Sequence, residues 1–219
     1  MNEMQAKNNK VYLMGEAEDA PRFSHELYDE AFYDFKLKVE RLSGQADVLP
    51  VTVSERLLDG MTVEKGTKLG IAGQFRSYNK MTDEKSRLML TVFVREFVAP
   101  ESLDETPNYI EINGYVCKPP IYRTTPFDRK ICDVLLAVNR GYNKSDYIPC
   151  IAWGRNAMFA KNLQVGSNLQ VFGRVQSRIY NKRLTDNTTE ERTAYELSIS
   201  KLLKINPESE KEIASARIE

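Results

Sequence analysis

The chain has 219 residues, 42% of them hydrophobic, 10% aromatic and 28% charged, with 31 Lys+Arg set against 31 Asp+Glu. That is too much apolar material for wholesale disorder, and it suits either one large domain or two of roughly 100 residues. With His25 the only histidine and Cys117, Cys132 and Cys150 an odd, widely spaced set, a histidine-based triad or metal centre would hang on one side chain, and the cysteines fit neither a disulfide framework nor a zinc knuckle.

The elements repeat along the chain. Gly15, Asp34, Val39, Arg41, Asp47 and Pro50 are echoed 99 residues later by Gly114, Asp133, Val138, Arg140, Asp146 and Pro149, and after one inserted residue Gly66 and Gly73 by Gly166 and Gly173. Period-two alternation rich in Val, Ile, Tyr and Phe predicts strands near 10–16, 30–42, 46–54, 67–78 and 87–98 in the first copy. Residues 100–107, with two prolines bracketing acidic and small residues, read as a linker. Strands are then expected near 109–117, 130–140, 146–153, 167–180 and 193–204, with one helix over Gly154–Leu163 that stops before Gly166. Five strands with a helix between the third and fourth is the layout of an OB fold, so the expected class is all-β with one short helix per domain: two tandem OB-fold Greek-key barrels. The expected divisions are 1–99, the linker 100–107, 108–205, and a short polar tail over 206–219.

The even net charge conceals an imbalance. Residues 1–105 hold 14 Lys+Arg against 19 Asp+Glu, whereas residues 106–204 hold 15 against 8. A polyanion would prefer the second copy. Alternation on its third strand sets Tyr147, Pro149, Ile151 and Trp153 on one face and Ile148, Cys150 and Ala152 on the other. On its fourth strand Arg174, Gln176, Arg178 and Tyr180 oppose Leu169, Val171, Gly173 and Val175. The first row is basic and aromatic, the mixture that takes phosphates and stacks bases. A core tryptophan and a solvated sheet face are the plain structural readings of the same residues.

In order, Asn113-Gly114, Leu136-Ala137-Val138-Asn139-Arg140, Asp146-Tyr147-Ile148-Pro149-Cys150-Ile151-Ala152-Trp153-Gly154 and Gly173-Arg174-Val175-Gln176-Ser177-Arg178-Ile179-Tyr180 resemble the bacterial single-stranded DNA-binding protein family over about 95 residues. The resemblance implies OB folds that coat single strands in DNA replication, recombination and repair, four per assembly, so that a tandem chain would act as a homodimer. It also implies base stacking on Tyr142, Tyr147, Trp153 and Tyr180. Arg140, Lys144, Arg155, Arg174, Arg178, Lys182 and Arg183 are expected to extend the track, with Tyr78 at the first copy's edge.

The first copy has Ser43, Val48 and Ser54 where the second has Tyr142, Tyr147 and Trp153, so its stacking capacity is expected to be poor. Phe32, Phe35, Leu37 and Val39 read as core, and Phe75, Tyr78 and Arg76 as residues able to touch a strand at the edge. The resemblance also implies an acidic tip ending in a hydrophobic residue that recruits partners, and with Lys211, Arg217 and a final Glu219 the tail is expected to lack it. No apolar run is long enough for a membrane helix and the opening residues lack a signal-peptide core, so a cytoplasmic location, on the nucleoid when DNA is bound, is expected. The resulting reading is a non-enzymatic single-stranded DNA binder without cofactor or metal, with replication or repair proteins as further partners. Its rivals are an OB-type protein-interaction module and a single-stranded RNA binder.

Overall fold

The computed structural model describes residues 8–81, 86–99, 107–183 and 188–206. Of the expected linker only Pro107, and of the expected tail only Asn206, lies among them. They form twelve strands and two short helices: β1 (Asn9–Ala17), β2 (Arg22–Leu27), β3 (Glu30–Glu40), β4 (Ala46–Ser54), α1 (Glu55–Leu58), β5 (Lys68–Met81), β6 (Ser86–Val98), β7 (Asn108–Val116), β8 (Ile121–Thr124), β9 (Lys130–Arg140), β10 (Lys144–Trp153), α2 (Gly154–Ala160), β11 (Asn168–Arg183) and β12 (Thr189–Ile205).

In the first repeat the strands run β2-β3-β4-β6-β5-β1, and β1 returns to pair with β3. The β4–β6 pairing is parallel, with Val51 opposite Val92 and Thr52 opposite Phe93. The second repeat runs β7-β11-β12-β10-β9-β8 and closes through β7 on β9. This order, closed on itself, is the OB barrel, and the chain carries two in tandem. Alternation explains each interior: Val11, Leu13, Phe35, Leu37, Leu49, Val51, Ile71 and Phe75 fill the first, and Ile112, Leu136, Ile148, Leu169 and Val171 the second. Closure depends on backbone contact. A Cβ at Gly15 would collide with the Lys38 carbonyl, and one at its echo Gly114 would meet the Ala137 carbonyl oxygen at 2.9 Å.

Two strands escape the sequence pattern. All six residues of β2 are exposed, so no buried face imposes an alternation. Its hairpin to β3 turns through Tyr28 and Asp29, both left-handed at φ 53° and 58°, where glycine or asparagine is the usual signal. The pairing is bulged between Phe23 and His25, leaving Ser24 as the extra residue. Strand β8 is a four-residue arm on β9.

By compactness the chain divides into two units. Among the described residues, one comprises Lys10–Ile110 with Arg174–Leu197, and the other comprises 8–9, 111–173 and 198–206. The outer part of the β11–β12 hairpin, which is second-repeat sequence, therefore packs with first-repeat residues.

Candidate nucleic-acid interface

In the unit holding Glu111–Gly173, β10 carries a solvent-facing aromatic row. Tyr147 is 43% and Trp153 37% exposed, while Ile148, Cys150 and Ala152 are buried. Ile151, expected in the outward row, is buried too, at 3%. Tyr142 stands in the β9–β10 turn at φ 60° and is 97% exposed. A bulky residue held left-handed with its ring in solvent spends backbone energy on presentation.

Trp153 is also the N-cap of α2, and its side chain makes no capping hydrogen bond. Lys144 and Arg155 are exposed at either end of this row. A shallow depression beside the indole is lined by Asp128, Arg129, Lys130, Trp153 and Gly154. Arg129 and Lys130, the residue before β9 and its first residue, were missed in the sequence because the connection into β9 turns at Asp128 (φ 55°), which is not a glycine. The adjacent basic pair was the available signal. Arg140 is differently placed: its Nη1 donates to the buried Asp146 carboxylate at 3.2 Å.

The remaining expected residues fall in the other compact unit. On β11, Arg174 and Arg178 are exposed and Tyr180 is half-buried, with the Arg178 guanidinium 5.6 Å from its ring centre. Gln176 corrects the expected outward row. It is buried, donates to Glu196 at 2.8 Å and accepts from Arg174 at 3.2 Å. Arg178 also pairs with Glu196 at 3.6 Å. Lys182 and Arg183 end β11 exposed, and 184–187 of the following loop lie outside the described residues.

Ser177, between these groups, is clasped by a carboxylate from β4. Asp47 is wholly buried and accepts from the Ser177 backbone N–H at 2.7 Å, its hydroxyl at 3.2 Å, Arg41 Nε at 2.7 Å and Arg41 Nη2 at 2.5 Å. The charge-assisted hydrogen bonds that Arg41 donates to Asp47 raise the Arg41 pKa. Arg41 and Asp47 are among the residues the repeat retains as Arg140 and Asp146.

In the first repeat the matching positions do other work. Ser54 caps α1 by accepting from the Arg56 N–H at 3.2 Å, Val48 is half-buried and Ser43 is exposed. Phe75 is fully buried, which removes it from any edge contact. Phe32, expected in the core, is buried with Phe35, Leu37 and Val39; out of phase with those three on β3, it packs under His25 and Phe93. Tyr78 is exposed; partial burial, then the Asp34 charge, raises its pKa.

Burial likewise pushes the Cys117 and Cys132 thiols up. Among the described residues no group of three or more His, Cys, Asp or Glu converges to hold a metal ion, and no helix is long and apolar enough to cross a membrane.

Residues 107–205 match the model of the Single-strand binding protein family. The likeness lies in the second repeat, a little under half of the chain. Single-stranded DNA-binding protein 1 of Staphylococcus aureus is 39% identical over 80 residues, which cover 33% of this chain and 48% of the relative. The chain thus spans about half the length of that curated relative. The wild-type single-stranded DNA binding protein from Thermus aquaticus is 20% identical with a TM-score of 0.68 over 90% of this chain and 93% of its own, a likeness of fold across both repeats. The dimeric N-terminal domain of PriB from Thermoanaerobacter tencongensis is 48% identical over 41% of this chain and 93% of its own, with a TM-score of 0.37.

Proposed function

We propose that this protein is a non-enzymatic binder of single-stranded DNA with little sequence preference, serving replication, recombination or repair. Domains 1–99 and 108–205 would flank the linker 100–107, with the tail at 206–219 and two chains assembling into a homodimer of four OB folds. The observation that carries this is the presentation of Tyr142, Tyr147 and Trp153 to solvent, in the family-matched segment, beside Lys144, Arg155, Arg129 and Lys130. Rings on a barrel exterior cost apolar exposure and offer flat faces to any base, each stack being worth about 1–3 kcal/mol, while the cations neutralise phosphates. Arg174, Arg178, Lys182, Arg183, Tyr180 and Tyr78 extend the contact. Arg140 acts through Asp146 in this reading, and touches a phosphate only by leaving that carboxylate.

Titration with oligo-dT tests it. Binding quenches the single tryptophan, and log affinity falls linearly with log salt, by about 0.7 for each phosphate neutralised. Unchanged emission at saturation removes Trp153 from the platform, and a flat salt dependence removes the capture mechanism. Competition with RNA of the same sequence decides between polymers. Light scattering on the free protein reads twice the 25.1 kDa chain mass if it is a dimer.

A further inference from the structure

Strand β11 carries Arg178 and Tyr180 well beyond the point where its neighbour stops. In an antiparallel sheet a hydrogen-bonded neighbour takes both the N–H and the C=O of the residue it faces. Strand β7 lies beside β11 but begins at Asn108, which sits against Val175, whereas β11 continues to Arg183. Past Val175 that edge of β11 has no β7 residue to meet it.

Side chains take over there. Asn108 uses its carboxamide as a peptide group would, Oδ1 accepting from the Val175 N–H at 2.9 Å and Nδ2 donating to the Val175 carbonyl at 2.7 Å. Two residues on, the Arg41–Asp47 ion pair repeats the pattern: Asp47 Oδ1 accepts from the Ser177 N–H at 2.7 Å, and Arg41 Nη2 donates to the Ser177 carbonyl at 3.4 Å. The Ser177 hydroxyl donates to Asp47 at 3.2 Å and accepts from the Val48 N–H at 3.3 Å. Every polar atom of Ser177 is taken by Arg41, Asp47 or Val48.

A wholly buried carboxylate is held at a desolvation cost that only a full set of donors offsets, and an apolar residue in its place could pack but could not hold a backbone group. The same four residue types recur 99 or 100 positions away, as Asn9, Arg140, Asp146 and Ser77 for Asn108, Arg41, Asp47 and Ser177. Ser177 directly precedes Arg178 and stands ahead of Tyr180, Lys182 and Arg183, so the clamp lies at the root of the arm that bears them. From β12, Glu196 secures the same root, accepting from Gln176 at 2.8 Å and facing Arg178 at 3.6 Å.

We infer that Asp47, with Arg41 and Asn108, is a positioning group for single-strand binding, fixing the β11–β12 arm so that Arg178, Tyr180, Lys182 and Arg183 stand ready before the strand arrives. The inference rests on the binding proposed above and deepens it. Asp47 is wholly buried and acts through Ser177, without meeting the strand itself. An arm already ordered in the free chain loses less conformational freedom on binding, and each mobile, rotamer-rich side chain that must be immobilised lowers the affinity.

The test is a double-mutant cycle on the full chain with a long oligo-dT. Asp47→Asn keeps the size of the side chain but sets an amide N–H against Arg41; Asn108→Ala frees Val175 and serves in its place if Asp47→Asn does not fold. Either change is expected to weaken binding about tenfold, with the Trp153 quench at saturation kept at the wild-type value. In a chain already carrying Tyr180→Ala, Lys182→Gln and Arg183→Gln, the same change is expected to cost less than about twofold, because the arm it would position no longer binds. A merely structural role predicts the same loss in both backgrounds, and that result overturns the inference, as does wild-type affinity in both Asp47→Asn and Asn108→Ala. Wild-type affinity in the triple variant alone also overturns it and leaves the platform of Tyr142, Tyr147 and Trp153 intact. A wild-type protein that neither quenches nor binds oligo-dT overturns both readings.

Discussion

Position 54 and position 153 occupy the same place in the two barrels and have been put to opposite uses. Each ends the third barrel strand and caps the helix that follows. Ser54 does what an N-cap favours, its hydroxyl accepting a first-turn N–H, whereas Trp153 forgoes that bond and shows an indole to solvent. The neighbour across the strand has changed in compensation: Phe32 stands opposite Ser54, and Ile131 opposite Trp153. One barrel keeps its ring on β3 and a cap on β4; the other gives up the cap for a ring. The interiors and the crossing glycines stay alike, so the duplicated fold constrains its inside and leaves its outside free to diverge.

Four measurements bear on that contrast. The largest effect is expected where the copies agree. Asp47→Ala leaves Arg41 and the Ser177 N–H without their buried acceptor and should cost about 3–5 kcal/mol in urea unfolding; Asp146→Ala should cost a comparable amount, and a silent variant at either site would break the equivalence. Next, Trp153→Ser should weaken oligo-dT binding about 10- to 100-fold, one base stack, without destabilising the fold. Ser54→Ala should do the reverse, losing about 1 kcal/mol of stability with the affinity unchanged.

The smallest effect concerns Tyr78. Its pKa is raised in the folded chain, so above about pH 10 the unfolded chain releases that proton first and the folded state loses stability as pH climbs. Ultraviolet titration should find Tyr78 ionising above the ordinary tyrosine value.

The barrels were legible because their buried strands must alternate: every strand expected from the sequence exists within a few residues of its predicted limits. Strands β2 and β8 were illegible because short hairpin arms bury no face, and because Tyr28 and Asp29 make a left-handed turn without the residues that usually advertise one. On the site, alternation placed Tyr147 and Trp153 outward, as found, but failed at Gln176, where the β11–β12 hairpin supplies Glu196 as a buried partner that no local pattern records. Phe32 is buried, as its apolar character suggested, but its cover comes from rings on β2 and β6, which no local pattern records. Side-chain roles set by a distant strand, as with Ser177 and Asp47, become visible only once the strands come together.

The bulge at Ser24 has a consequence for how the protein behaves at high concentration. Strand β2 borders its sheet with Phe23, Leu27 and Tyr28 open to water, the makings of a template on which chains could polymerise edge to edge. The interrupted register breaks that template halfway along, so the molecule keeps its sticky rim without a straight run of free peptide groups long enough to seed a fibre.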